Sequence, residues 1–494
     1  MSRELTLRAL LAERARATPA HPYLEDARSD RVLDHETLAR AVSAWERVFD
    51  GLGIAPSGAV LVDLGDPLSF AVVHLAAIAT GRRSVPVDPG QPASEVARLG
   101  SLIGGASLVV SDREERSALD GVPAARVGRD FGPVHVVRGP VPGSDPDAPG
   151  EGSAVLFTSG STGTPKGVEM PESQLLFVAR QVAQHNGLTP SDRGFNSLPL
   201  SHVNAEVVGL LATLVAGATL VLDRRFHRTG FWELLAERRV TWLNAVPAIL
   251  AVLVKTGPLV FPPGLRFVRS ASAPLPEPVR AALGHVPLVV SWGMTEGASQ
   301  IAATPLGAPA RPGSVGVPVG SEVQVRDEHG NVLPAGDVGS LWVRGEGIVR
   351  SYLCGRAAER FDADGWLSTG DLGHVSEDGW VWLVGRADDV INRGGEKVYP
   401  AEVEDVLLGD PRVLEAVVVP RPHEVLGSVP VAYVVVRPDC DTGAAVLHAA
   451  LLERAEAELA RFRRPVEVFV VRDLPRASTG KVRRVEVRAM AQGA

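Results

Sequence analysis

The sequence predicts an α/β protein: a large N-terminal domain of mostly parallel sheets with helices, a small β subdomain, and a small α+β domain at the C-terminus. Three observations carry this. Short valine-rich runs alternate with helix-periodic segments through the first two-thirds of the chain. After about residue 310 the texture changes to closely spaced alternating strands and turns. Residues 385–494 then hold a complement of elements of their own, enough for a separate small domain.

The elements follow in order. "MSRELTLRALLAERA" carries charges every few residues and places Leu7, Leu10 and Leu11 on one helical face, so it reads as an amphipathic helix and not as a signal peptide. "GAVLVDLG" (58–65) is a strand, and "PLSFAVVHLAAIATG" (67–81) is a helix closed by glycine. Residues 139–152 are rich in proline, glycine and aspartate and form a surface loop or connection. The longest apolar run, 207–222, is short for a membrane span and contains Gly209 and Gly217; it reads as a buried helix followed by a strand. "TGFWELLAERRV" (229–240) is a helix, "VTWLNAVP" (240–247) a strand, and "LRFVRSASAPLP" (265–276) a strand opening onto a loop. Beyond residue 310, turns such as His329-Gly330-Asn331 separate the strands of an antiparallel subdomain. A helix from near Pro400, strands at 413–420 and 429–436, a long helix at 444–462, a further strand and a basic tail complete the chain.

Composition narrows the class. At 494 residues two or three domains are expected, and 45% hydrophobic with 22% charged residues excludes a disordered chain. The net charge of -8 gives no support for binding nucleic acid or an anionic membrane. Cys354 and Cys440 stand far apart, a reducing-compartment pattern with neither zinc spacing nor a disulfide framework. A soluble cytoplasmic protein is the expectation.

"LFTSGSTGTPKGV" (156–168) is too rich in glycine for a helix or a strand interior. Such a loop suits phosphate: glycines let the backbone approach, and N–H groups, hydroxyls and one ammonium donate to oxygen anions. A P-loop is excluded, because Lys166 follows Pro165 and precedes Gly167, and the dinucleotide glycine pattern is absent. A flexible linker seldom carries a threonine-proline-lysine turn directly after an apolar strand.

The stretch resembles the phosphate-loop signature of the adenylate-forming superfamily, which includes acyl-CoA synthetases, adenylation domains of peptide synthetases and beetle luciferases. "SWGMTEGAS" (291–299) resembles the family's Tyr-Gly-x-Thr-Glu motif, with Trp292 where tyrosine is usual. "STGDLG" (368–373), "GRADDVINRGGEKVYPAEVE" (385–404) and "PRASTGKVRR" (475–484) match further motifs in family order, so the resemblance covers essentially the whole chain.

The resemblance implies a reaction in two steps: a carboxylate attacks the α-phosphate of ATP with release of pyrophosphate, and a thiol then attacks the acyl-adenylate. Step one brings two anions together, so the site must supply positive charge and hold geometry. By resemblance, Thr158, Ser159, Gly160, Ser161, Thr162, Gly163 and Lys166 cradle the β- and γ-phosphates. Ser272, Ala273, Pro274, Ser291, Gly293 and Met294 line the nucleotide, Thr295 touches the α-phosphate, and Trp292 stacks on adenine. Glu296, with Thr158, helps hold Mg²⁺, Asp371 accepts from both ribose hydroxyls, and Arg386 supports the nucleotide. The same resemblance implies that Lys481 is the catalytic lysine, bridging the carboxylate and the α-phosphate. Without the joint pattern, Asp371 reads as a turn residue, Glu296 as surface charge and Trp292 as core.

Family enzymes reuse one site by rotating a mobile C-terminal domain. That places an N-terminal domain at 1–384, a hinge at 385–388 with Asp388, and a mobile domain at 389–494. After rotation Gly394 and Gly395 would flank a thiol tunnel, with His202 near it as a gate. The "RGGEKVYPAEVE" form resembles CoA synthetases, so CoA is the expected thiol; the phosphopantetheine arm of a carrier protein is the alternative, and an inactive adenylate-binding protein is a third reading against which the intact motif residues argue. The acid pocket is expected from His202, Val203, Asn204, Glu206, Val207, Asn244, Arg269, Ser270, Ser299 and Gln300. This set is poor for a long fatty chain and suits a small polar acid or diacid, with Arg269 pairing a second carboxylate. Two competing expectations are a β- or ω-amino acid held by Glu206, and a structural Arg269–Glu206 pair.

Overall fold

The computed structural model describes residues 6–113, 122–139, 151–158, 166–255, 258–284, 286–309, 311–437, 440, 443–476 and 482–492. Its architecture is that of a mixed α/β protein with a large N-terminal part and a smaller C-terminal one. Residues 159–165, 477–481 and most of the 139–152 stretch lie outside the described residues.

Two sheets form the N-terminal part. In the first, strands Leu288–Trp292, Phe267–Ser270, Trp242–Ala245, Arg193–Asn196, Thr219–Leu222 and Pro22–Asp26 lie side by side and run parallel. Short antiparallel strands extend both edges. In the second, Ala124–Val127, Leu108–Ser111, Ala59–Asp63, Arg83–Pro86 and Ser153–Thr158 run parallel, and an antiparallel strand closes each edge. One of those edges pairs Ser153–Thr158 with Lys166–Pro171, so both ends of the glycine-rich stretch are strand.

Helix Pro67–Ala79 shows why the sheets stack. It touches Ala59–Asp63 and Arg83–Pro86 of the second sheet and Pro22–Asp26 of the first. All of its residues are buried, which is what a helix that is apolar on every face requires. Proline occupies its first turn, and the Asp66 carboxylate accepts from the Ser69 N–H at 3.1 Å as the cap. The amphipathic helix Leu7–Ala17 buries Leu7, Leu10 and Leu11 as its pattern predicts. The apolar run is a helical segment through Ala216 followed by strand Thr219–Leu222.

The antiparallel subdomain is a four-stranded sheet of Glu322–Arg326, Gly339–Arg344, Leu367–Val375 and Val381–Arg386. In the C-terminal part, Val413–His423 and Gly427–Val436 pair antiparallel, and Glu467–Val471 joins the latter in parallel. Alternation sorts its two cores. Ala416, Val418, Ala432 and Val434 meet helices Pro400–Leu408 and Ala444–Glu458, while Val417, Val419, Val431 and Tyr433 meet helix Arg484–Gln492. The basic tail is therefore helical over residues that charge alone left as a tail; Val487 and Ala491, four apart, supply its buried stripe. Among the described residues no helix is long and apolar enough to cross a membrane.

Gly194, in strand Arg193–Asn196, is a sharp constraint on the first sheet. A β-carbon there would lie 2.5 Å from the Trp242 ring, which is fully buried. Gly194→Ala is expected to destabilise the N-terminal part by about 1–3 kcal/mol, read as a lower thermal midpoint, because the indole has no room to yield.

Candidate active site

The carboxyl ends of the parallel strands converge on one polar centre, the place where open α/β sheets bind ligands. Register sets it up: Asn196 pairs with Asn244, and Asn244 with Arg269, so the three side chains share one face of the sheet. The Arg269 guanidinium is fully buried. One terminal nitrogen donates to the side-chain oxygens of Asn204 at 2.8 Å and Asn244 at 3.2 Å. The other donates to the Ser291 hydroxyl at 3.0 Å and the Gln300 amide oxygen at 3.3 Å. Asn244 also donates to the Asn196 oxygen at 3.1 Å. All of these acceptors are neutral, and burial pushes the Arg269 guanidinium down to about 9. It still carries its charge at neutral pH.

Two donors around this centre have no partner among the described residues. The Arg269 Nε and the Gln300 side-chain nitrogen are buried and unbonded there; Ser270, expected in the same pocket, is the next residue of the strand and turns to the opposite face with Val268 and Ala245. Buried donors without acceptors are costly, and a ligand rich in acceptor oxygens could satisfy them. The backbone beside it is strained: Ser272 has φ 76° and Ser299 has φ 89°, values uncommon for residues other than glycine. Asn204 donates to the Ser272 hydroxyl at 3.4 Å, which ties the Ser272–Pro274 loop to the polar centre.

Glu206 departs from expectation. Its carboxylate does not meet Arg269; it is fully buried and meets His74 Nε2 at 3.0 Å, while His74 Nδ1 meets the Ser84 hydroxyl at 2.8 Å. The expected Arg269–Glu206 pair is therefore corrected, because one oxygen of this carboxylate meets a histidine on a neighbouring helix, while its Oε2 is buried without a partner among the described residues. Val207 is likewise fully buried in the main core. The reason is local: Asn204–Leu211 is a π-helix, and its wider turn changes which residues share a face. Asn204 stays at the polar centre, Val203 is half-buried, and His202 is half-buried with its Nε2 unbonded. Burial holds His202 below the usual imidazole range, with the charge of Asp88 opposing.

The second cluster lies where strand Leu288–Trp292 meets the antiparallel sheet. A β-carbon on Gly293 would lie 1.4 Å from the Ser299 carbonyl oxygen, so only glycine fits between Trp292 and Met294. Trp292 donates its indole N–H to Asp371 at 2.9 Å, and Arg386 donates to the other carboxylate oxygen at 2.9 Å. Trp292 is only 5% exposed, with most of its ring inside the core. Thr295 and Glu296 sit in the short turn Thr295–Gly297. Glu296 is buried; its Oε1 accepts from the Tyr352 hydroxyl and from Arg360 at 2.9 Å. Arg360 also donates to the Ser368 carbonyl at 2.6 Å, and Gln174 donates to the Glu296 carbonyl at 3.3 Å. Lys166 places its ammonium 5.9 Å from the Tyr352 ring centre, which ties the end of the glycine-rich stretch to the same cluster. The Thr158 hydroxyl faces the Lys166 carbonyl at 3.4 Å.

Ser159, Gly160, Ser161, Thr162, Gly163 and Lys481 lie outside the described residues. Asp388 is exposed in the turn Ala387–Asp389, and its carbonyl accepts from Arg488 at 2.9 Å. Gly394 and Gly395, both at positive φ, form the tight turn between Ile391–Arg393 and Glu396–Val398. Sequence reasoning missed Tyr352, Arg360, Gln174, Asn196 and His74. None sits in a recognisable motif; each is defined by what lies across from it.

The AMP-binding enzyme family matches residues 11–353, and the AMP-binding enzyme C-terminal domain matches residues 402–481. The chain belongs to this family. It is 35% identical to the sulfoacetate–CoA ligase of Cupriavidus necator, over 98% of this chain and 97% of that one. It is 31% identical to the oxalate–CoA ligase of Arabidopsis thaliana, over 91% of each. The crystal structure of ATP-bound MatB from Rhodopseudomonas palustris superposes with a TM-score of 0.87 at 26% identity, covering 98% of both chains. Within the family, the chain is of the AMP-forming acid–CoA ligase type.

The Glu296 cluster is directly testable. Arg360→Ala leaves a buried carboxylate without its counter-charge, a loss of about 3 kcal/mol. A lowered thermal midpoint is expected, with most of the loss recovered in an Arg360→Ala, Glu296→Gln double variant.

Proposed function

We propose that this enzyme activates a small carboxylic acid bearing a second anionic group, using ATP, and transfers the acyl group to CoA. The observation that carries the reading is the buried Arg269 guanidinium, ringed by neutral acceptors and unbonded donors. A second carboxylate or a sulfonate would supply the missing charge and acceptors at once. The relatives support it: sulfoacetate and oxalate, named for two of them, are both small acids with two anionic groups.

In this reading the far anion of the acid rests on Arg269, with Gln300 donating, and the reacting carboxylate points toward the nucleotide. Thr158, the 159–163 loop and Lys166 hold the pyrophosphate end of ATP, Thr295 the α-phosphate, and Asp371 with Arg386 the ribose. A carboxylate oxygen attacks the α-phosphorus and the bond to pyrophosphate breaks, with Lys481 spanning the two anions. The thiol of CoA then attacks the acyl carbon and AMP leaves. Among the described residues no group of three or more His, Cys, Asp or Glu side chains forms a ready-made metal cage. A hard cation held by one carboxylate and phosphate oxygens needs none, so Glu296 and Thr158 fit Mg²⁺, which when bound would neutralise phosphate charge. The two half-reactions use two arrangements of residues 389–494 against residues 1–384, turning about 385–388. Asp388, exposed in a turn, suits that hinge.

Two predictions follow from this division of labour. In a pyrophosphate-release assay with ATP, Mg²⁺ and CoA over monoacids and dianionic acids, Arg269→Ala should lower kcat/KM for the preferred dianionic acid by about 100-fold or more, the cost of unpairing a buried charge. Monoacids should change by less than about tenfold; equal loss for both classes would remove Arg269 from the pocket. Lys481→Ala should abolish adenylation and spare thioester formation from supplied acyl-adenylate, and Asp388→Pro should do the reverse by locking the hinge. Loss of the same half-reaction in both variants contradicts the two-arrangement account.

A further inference from the structure

We propose that Trp292 is a positioning residue for the ribose: its indole N–H fixes the Asp371 carboxylate so that the remaining lone pairs meet the two hydroxyls of the nucleotide. This rests on the reading of Asp371 as the ribose acceptor. It changes the part expected of Trp292, from a ring stacked on adenine to a donor acting through Asp371.

The geometry is specific. Trp292 ends a strand of the nine-stranded sheet, and Asp371 lies within Leu367–Val375 of the four-stranded sheet, so the 2.9 Å bond joins two separate sheets. The indole is buried in the same hydrophobic cluster as Ile301, Leu341, Leu367 and Val381, which limits where its N–H can point. Asp371 is held from every other side. Its backbone N–H donates to the Thr369 hydroxyl at 3.0 Å, and Arg386, its direct partner across the ladder, donates to Oδ1 at 2.9 Å. Each carboxylate oxygen thus has one donor in place and further acceptor capacity.

The chemistry of the donor matters. An indole N–H only donates, so it cannot rotate to present an acceptor as a hydroxyl can. Donation at Oδ2 and Arg386 at Oδ1 together lock the plane of the carboxylate. Two acceptor sites side by side then face a vicinal diol without reorganising when it arrives. A phenylalanine at this position would keep the aromatic surface but release Oδ2.

The test is binding of AMP, 2′-deoxy-AMP and 3′-deoxy-AMP by isothermal titration calorimetry, which needs neither the acid nor turnover. The unmodified chain should prefer AMP over each deoxynucleotide by about tenfold or more, the worth of one hydrogen bond to a charged group. In Trp292→Phe that preference should shrink toward unity, with the deoxynucleotides nearly unaffected. Equal weakening of all three ligands would assign Trp292 to adenine stacking and overturn the proposal, as would an unchanged preference. An unmodified chain that binds all three alike overturns the ribose reading itself, a distinct outcome. Should Trp292→Phe fail to fold, the indole N–H resonance of Trp292 in the ¹⁵N-tryptophan-labelled chain decides. It should shift in Asp371→Asn and on adding AMP, and much less with 2′-deoxy-AMP; a resonance insensitive to Asp371→Asn overturns the proposal.

Discussion

A buried positive charge organises this protein. Arg269 sits at the carboxyl end of a central strand, and its neighbours offer only neutral oxygens. Removing a guanidinium from water is costly unless its donors are met. Asn204, Asn244, Ser291 and Gln300, from four different segments, are therefore drawn to one point. Asn204 reaches it because the helix it opens is a π-helix. That same turn sends Glu206 away to His74, so among the described residues no carboxylate pairs with the guanidinium. In the proposed function that charge is met by the ligand, and a monoanionic acid with an apolar tail would leave it uncompensated.

The cluster proposed to hold the nucleotide obeys the opposite electrostatic logic. Its carboxylates, Asp371 and Glu296, each carry an arginine, Arg386 and Arg360 respectively. Two bare carboxylates would repel a triphosphate; paired as they are, they keep hydrogen-bond acceptors and metal-binding oxygens without a net negative field. Tyr352 joins these pieces, with its hydroxyl on Glu296 and its ring beside the Lys166 ammonium. The two clusters thus differ: Arg269 meets neutral acceptors, while Asp371 and Glu296 each meet an arginine. That arrangement suits joining an anionic acid to an anionic phosphate.

Much of this was legible in the sequence because it is local. The alternation of strands and helices, the antiparallel texture beyond residue 310 and the amphipathic first helix all follow from periodicity, and the structure reproduces them. The motifs named Trp292, Glu296, Asp371 and Arg386 as neighbours although up to 94 residues separate them. Within the acid pocket the polar character of Asn204, Asn244, Arg269 and Gln300 was readable, and these four do converge.

By itself the sequence determined the family, the order of the elements and the residue types available for charge and hydrogen bonding, since these depend on spacing along one chain. Only the tertiary structure decided which charges meet. A π-helical turn assigned Glu206 to His74; sheet register placed Asn244 beside Arg269; the meeting of two sheets put the Trp292 N–H on Asp371 and brought Arg360 to Glu296. Each of those pairings is set by side-chain direction across elements distant in sequence, and a one-residue change of phase in a helix or strand would redirect it.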